Sequence, residues 1–172
     1  MANLNELLIR LCDADLDYVV VGGFAAVLHG SSFVTRDLDI CAALTPSELS
    51  TLRSALHDLN PRYRLMPQKL SFLDTPHPGP PDTPLSLDTT LGSLHVFPSI
   101  TGVGPFGRVR TGALEIGLWG RRCRVIALED LIYAKQALGR DNDLLAVIEL
   151  RAIQAKTPPP RTSGLPRVES RR

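Results

Sequence analysis

Between Val19 and Ile40 an apolar run, a Gly-Gly pair, a short apolar segment and an Asp-Leu-Asp triplet follow one another, and no other part of the chain restricts the fold as much. The order predicts a strand, a glycine turn, a helix and a second strand. Side chains alternate along a strand, so Asp37 and Asp39 project from the same side. Two carboxylates crowded there invite a divalent cation. The competing reading is a solvated strand end or a helix-capping pair, but Leu38 and Ile40 surround the acids with apolar strand, where uncompensated charge is costly. Gly22 and Gly23 allow backbone N–H groups to approach phosphate oxygens, and a helix start behind them favours negative charge.

The remaining pattern supports a domain with a mixed sheet flanked by helices, of α/β (α+β) class. Leu4, Leu7, Leu8 and Leu11 fall at helical spacing. Strands are expected at 18–21 and 37–42, with a helix over 24–28 that ends at His29-Gly30, where a left-handed cap is wanted. Thr45-Pro46-Ser47-Glu48 combines an N-cap, Pro at the first helical position and Glu three residues on, so a helix follows it and ends near Asn60-Pro61. Short strands are expected at 62–66, 70–73, 84–89 and 93–98, the last two as a hairpin, with another hairpin over 113–126. Helices over 127–138 and 141–156 close the domain. Asp74 to Thr83 holds four prolines and a glycine and reads as a disordered insertion, or else as a mobile flap beside the site. The expected organisation is one domain over 1–156 and a disordered, basic, proline-rich tail over 157–172.

The chain has 172 residues and 44% hydrophobic content, enough for a real core. No apolar run reaches the roughly 20 residues of a membrane helix, and Met1 to Arg10 lacks the pattern of a secretory signal. A cytoplasmic protein without a membrane partner is therefore expected. Cys12, Cys41 and Cys123 are odd in number and far apart, which suits free thiols. Before Lys156 there are 14 basic and 17 acidic residues, net −3; from Lys156 on, five basic residues oppose Glu169, net +4. A mildly acidic body does not suit general nucleic-acid binding. The basic tail alone supports RNA, and it is too short and aromatic-free to be a stacking platform.

The ordered set Gly22-Gly23, one helix, then Asp37-Leu38-Asp39 resembles the signature of the polymerase-β-like nucleotidyltransferase superfamily. His29-Gly30 and Thr35 ahead of the acids look most like its small stand-alone bacterial members, which include toxin–antitoxin and drug-modifying types. Leu128 to Lys135, then Gly139-Arg140 and Asp143-Leu144, are similar to the closing helices of that group. The resemblance implies a nucleotidyltransferase-like fold. It also implies transfer of a nucleoside monophosphate from a nucleoside triphosphate to an acceptor hydroxyl on a small molecule, a protein or RNA. Asp37 and Asp39 would hold Mg²⁺ or Mn²⁺, Gly22 and Gly23 the β- and γ-phosphates, and Lys135 the triphosphate; snorkelling to solvent is the other reading of Lys135. Thr35 and Arg36 either touch nucleotide or fix the loop.

One position departs from the pattern. Active members carry a third carboxylate on a later strand, and here His95 stands in that place. Histidine can act as a general base, ligate a softer metal together with Cys41, or simply sit hydrogen-bonded in the sheet. Asp88, on the preceding strand, is the candidate replacement ligand, or an ordinary surface acid. Arg140 and Asp143 are spaced to pair across the start of the last helix. A catalytically weak nucleotide-binding module that works through a cognate protein partner, as in a toxin–antitoxin pair, is the alternative function.

Overall fold

The computed structural model describes residues 2–157; apart from Thr157, the expected tail lies outside the described residues. The elements in chain order are α1 (Leu4–Asp13), β1 (Tyr18–Val21), α2 (Gly22–Leu28), β2 (Asp37–Ala42), α3 (Pro46–Leu56), β3 (Arg62–Tyr63), β4 (Leu85–Thr89) and β5 (Gly92–Phe97). They continue with β6 (Ser99–Ile100), β7 (Gly104–Pro105), α4 (Phe106–Gly112), β8 (Leu114–Leu118), β9 (Arg121–Val125), α5 (Leu128–Leu138) and α6 (Asp141–Lys156). Seven strands form one mixed sheet in the order β3-β4-β5-β2-β1-β9-β8, and β6 pairs with β7 separately.

Strand β2 lies at the centre of the large sheet, antiparallel to β1 and parallel to β5. Its alternation divides the sheet into two unlike faces. Leu38 and Ile40 share one face with Leu94 and Val96 of β5 and Leu85 and Leu87 of β4, and all six are at most 1% exposed. Helix α1 lies on this face, since Cys12 Sγ is 3.2 Å from the Tyr18 hydroxyl. Its leucines at positions 7, 8 and 11 are fully buried, as are Leu52 and Leu56 of α3. Asp37 and Asp39 stand on the other face.

Local chemistry sets the ends of these elements. Asn3 Oδ1 accepts the Glu6 N–H at the start of α1, and Thr45 Oγ1 accepts the Glu48 N–H with Pro46 at the first helical position of α3. Both are N-caps that satisfy an otherwise orphaned donor. Gly30, at φ +102°, adopts the conformation expected after α2.

Several elements differ from the sequence expectation. Helix α2 begins at Gly22 itself, so the glycines are its first two residues and no turn precedes it. Helix α3 stops at Leu56, yet Leu59 still reaches the core. Only Arg62 and Tyr63 form a strand, and 70–73 returns beside them with a single bridge, Arg62 to Ser71. The cause is local: Pro67 lacks a donor, Lys69 sits at φ +45°, and Phe72 is drawn into the core edge-on to Tyr63 at 5.7 Å. The stretch 99–112 forms β6, β7 and α4, which are too short for a legible period. The proline loop lies against α3, where Leu73 to His77 share a groove with Leu49 and Arg53, and the His77 ring closes it on the Thr83 carbonyl at 3.0 Å.

Removing a large side chain from the fully buried face leaves a cavity that these close-packed strands cannot close. Leu94→Ala is expected to destabilise the fold by about 2–5 kcal/mol in denaturant unfolding. Val34→Ala, at a position 91% exposed, should change it by less than about 0.5 kcal/mol.

Candidate active site

The sheet register gathers the site from three strands. Asp39 stands opposite Val21 on one side and His95 on the other, and His95 stands opposite Ser86 of β4. One row away, Asp37 is opposite Ser93, Ser93 opposite Asp88, and Asp88 opposite Arg62. His95 and Asp88 therefore share the face of the two acids. His95 is the neighbour of Asp39, whereas Asp88 lies two strands from Asp37.

Gly22 makes room for Asp39. At φ +63° it adopts a backbone that side chains resist, and any Cβ there would collide with the Asp39 carboxylate. Gly23 is confined less severely: a Cβ there would come within 2.7 Å of Thr35 Oγ1. Both glycines thus seat the side chains of the acid strand and its approach. Thr35 Oγ1 also donates to the Asp37 carbonyl at 3.0 Å, which fixes the loop entering β2.

Asp39 opens on a cleft of about 150 Å³ between the sheet and α5, lined also by Gly22, Phe97, Ile100, Leu131, Lys135 and Arg140. Burial lifts the Asp39 carboxyl above the ordinary carboxylate range; the charge of Asp37 adds to this, and His95, Lys135 and the Gly23 N–H oppose it without cancelling it. A cation at this place would relieve both causes. His95 Nδ1 is 3.3 Å from Ser86 Oγ, its ring stacks on Phe97 at 6.2 Å, and its buried Nε2 has no hydrogen-bond partner among the described residues.

The cations of the cleft are held from behind. Lys135 Nζ donates to Asp143 at 2.9 Å and Arg140 Nε at 2.6 Å, while Asp143 is only 3% exposed. Lys135 therefore does not snorkel to solvent: it is half-buried, anchored and faces the cleft of Asp39. The Arg140–Asp143 pair expected from spacing is present, and Lys135 makes it a triad. Asp88 is differently engaged. It accepts from Ser93 Oγ at 3.0 Å and lies 3.8 Å from Arg64 Nε and 3.6 Å from Lys69 Nζ.

Among the described residues no three His, Cys, Asp or Glu side chains gather as a metal cluster. Cys41 shares the acid face but is fully buried between Val19 and Phe97, and burial pushes its thiol up to about 12. A thiol so protonated is a poor ligand. The oxygen donors Asp37 and Asp39 do fit a hard cation of the Mg²⁺ kind, which commonly takes one or two carboxylates and completes its shell with substrate phosphate and water.

The fold recurs in solved structures. The Thermotoga maritima protein TM1012, assigned as a nucleotidyltransferase, superposes with a TM-score of 0.54 at 13% identity over 88% of this chain and 96% of its own. LnuA, the lincosamide antibiotic adenylyltransferase solved with lincomycin bound, superposes with a TM-score of 0.55 at 18% identity over 87% of this chain and 93% of its own. This chain has the nucleotidyltransferase fold. No family model matches the sequence, and no curated protein matches it, so the likeness is one of fold.

Four residues of this nucleotidyltransferase-fold chain make contacts that were not legible in the sequence. Arg64 donates to Ser93 Oγ at 2.8 Å and approaches Asp37 Oδ1 at 3.5 Å; its only signal is the alternation Arg62, Tyr63, Arg64. Lys135 meets Asp143 across two helices. Glu149 of α6 accepts from Ser31 Oγ at 2.6 Å and from both N–H and Oγ of Ser32 at 2.8 Å, holding the loop that leads to the acids. His29 Nε2, 2.7 Å from the Ile126 carbonyl, ties the end of α2 to the exit of β9. Arg36 is exposed.

Burial would raise the Asp143 carboxyl, but the hydrogen bonds from Arg140 and Lys135 outweigh it and hold the group below the ordinary carboxylate value. Its stabilisation is therefore present above the unfolded carboxylate pKa of about 4 and is lost as pH falls through the lower folded value. Asp143→Asn is expected to flatten the acid limb of a stability-versus-pH curve measured by denaturant unfolding, while also lowering stability at neutral pH.

Proposed function

We propose that the chain is a nucleotidyltransferase that moves a nucleoside monophosphate from a nucleoside triphosphate to an acceptor hydroxyl. One observation carries this reading. On a nucleotidyltransferase fold, the half-buried Asp39 shares a cleft with Lys135 and Arg140, two cations anchored on a buried carboxylate. Such a cleft suits a polyanion that arrives with its own counter-cation.

Asp37 and Asp39 would hold Mg²⁺ or Mn²⁺, which supplies charge compensation at the α-phosphoryl group and alignment for in-line attack. Lys135 and Arg140 would bind the outgoing phosphates, and their attachment to Asp143 limits the reorganisation they need on binding. The acceptor oxygen bonds to the α-phosphorus as the bond to the pyrophosphate oxygen breaks. His95, opposite Asp39 in the sheet, would take the hydroxyl proton through Nε2, a buried nitrogen with no hydrogen-bond partner among the described residues. Gly22 and Gly23 contribute by seating Asp39 and Thr35; Asp88, engaged by Ser93 and the two cations, serves the site through Arg64. LnuA, by its name, adenylylates a lincosamide antibiotic, so a small-molecule acceptor is one option on this fold.

A second reading is favoured by His95 itself. Histidine where the resemblance implies a carboxylate supports a nucleotide-binding module with little turnover that acts through a cognate protein partner. No described helix is long and apolar enough to cross a membrane.

Incubation with labelled nucleoside triphosphates and Mg²⁺ or Mn²⁺ separates the readings. For the enzyme, labelling of acceptor or of the chain itself should fall about 100-fold or more in Asp37→Asn. For the binding module, the triphosphate should raise the melting temperature without transfer, and His95→Asp should create activity. No nucleotide-dependent stabilisation at all would exclude both.

A further inference from the structure

The acid pair has two basic flanks built in different ways. On the cleft side, Lys135 and Arg140 are drawn in on Asp143 at 2.6–2.9 Å. On the other side, towards β3, Arg64 and Lys69 are held loosely. The Arg64 N–H donates to the Ser86 carbonyl at 2.9 Å, which returns its side chain over the acid face. The guanidinium reaches Ser93 Oγ at 2.8 Å, but Asp37 only at 3.5 Å and Asp88 at 3.8 Å, and Lys69 Nζ reaches Asp88 at 3.6 Å. Arg64 and Asp37 are 41% and 42% exposed and Lys69 is 65% exposed, so none of these three ion pairs is worth much to the fold. The bidentate Arg108–Asp130 pair, at 3.0 and 3.1 Å, shows what a structural clamp in this chain looks like.

The charge count of this outer flank changes once Asp37 engages a divalent cation. Arg64 then loses one of its two anions, and Asp88 is left to balance both Arg64 and Lys69. Arg62 does not help or hinder, since its guanidinium is turned to Asn60 and the Lys69 carbonyl. A solvent-accessible surplus of positive charge results, beside the reacting centre and on the side away from Lys135. In-line transfer brings the acceptor in opposite the leaving pyrophosphate, so with the outgoing phosphates on the Lys135 flank the acceptor lies on the Arg64 flank.

We propose that Arg64, with Lys69, forms an anion-binding subsite on the acceptor side, and that the acceptor is a hydroxyl compound carrying a phosphate group, an inference that rests on the nucleotidyl-transfer reading. Arg64 serves as counter-ion to Asp37 in the free protein and turns to the acceptor phosphate when the acids take their cation. Guanidinium suits this exchange because its fork can keep the Ser93 hydrogen bond while a second N–H engages phosphate. A polycationic acceptor would meet two like charges there and be rejected. The transfer remains the displacement described above: the acceptor oxygen bonds to the α-phosphorus, the bond to pyrophosphate breaks, and pyrophosphate leaves.

The test uses the full chain, labelled ATP and Mg²⁺ with four acceptor probes: an RNA oligonucleotide with a free 3′ hydroxyl, ribose 5-phosphate, uncharged ribose and the polycation kanamycin. Label is expected on a phosphate-bearing probe; RNA alone would assign the phosphate to a nucleic-acid backbone, and ribose 5-phosphate to a small metabolite. Arg64→Gln should raise the KM for that probe about tenfold, the size of one lost charge-assisted hydrogen bond, with the KM for ATP within about twofold and partial recovery in Arg64→Lys. Independently, Arg64→Gln should bind Mn²⁺ alone about two- to fivefold more tightly in calorimetry, because an exposed counter-ion has gone.

Equal or preferred labelling of ribose or kanamycin, an unchanged KM in Arg64→Gln, or unchanged Mn²⁺ affinity would overturn the proposal. So would failure to label either phosphate-bearing probe by a protein that Mg²⁺–ATP stabilises against heat. If Mg²⁺–ATP gives the wild-type chain no such stabilisation, the nucleotidyl-transfer reading itself fails and the acceptor subsite falls with it.

Discussion

The site depends first on the double pairing of β2. Antiparallel pairing to β1 and parallel pairing to β5 leave the strand no freedom to slip, because a shift of one residue would exchange Leu38 and Ile40 for Asp37 and Asp39 on the apolar face. The hydrophobic burial that stabilises the sheet therefore also presents the two carboxylates on the opposite side. The same registers carry His95 to Asp39 and Ser93 to Asp37. No separate device is needed to assemble the row.

Packing at the strand ends then adjusts the chemistry. Asp39 is tolerated half-buried because Gly22 leaves space for its carboxylate, and because Lys135 and the Gly23 N–H partly offset the cost of burial. Lys135 itself is tolerated because Asp143 faces it. The buried anion at the start of α6 lets a cationic group stand in a largely apolar cleft. Charge on one side of the cleft is thus matched across two helices, and charge on the outer flank is matched only loosely.

Much of this was legible in the sequence, for physical reasons that differ by residue. The positions of β1, β2, α1 and the start of α3 follow from local period and capping chemistry, which act over a few residues. The shared face of Asp37 and Asp39 follows from strand alternation alone. The partner of Asp39 was not legible, because Asp88 and His95 stand on one hairpin and only the pairing of β2 with β5 decides between them. Arg64 and Glu149 were hidden for a stronger reason: each acts on a residue more than 25 positions away, through contacts that exist only in the folded sheet. The glycines were read as a phosphate turn. Their tight neighbours in the fold, the side chains of Asp39 and Thr35, are 12 or more residues along the chain.

The bond between Glu149 and the Ser31–Ser32 loop spans 117 residues. In a chain made from its N-terminus, β1, α2 and β2 are all synthesised long before the residue that fastens the loop between them. The approach to the acids, held locally by Thr35, gains this second tie only after α6 has been made and has docked. Contacts of such sequence separation are costly in loop-closure entropy and slow the search for the native state. The tie between Glu149 and the Ser31–Ser32 loop is therefore expected among the last contacts of the described fold to close.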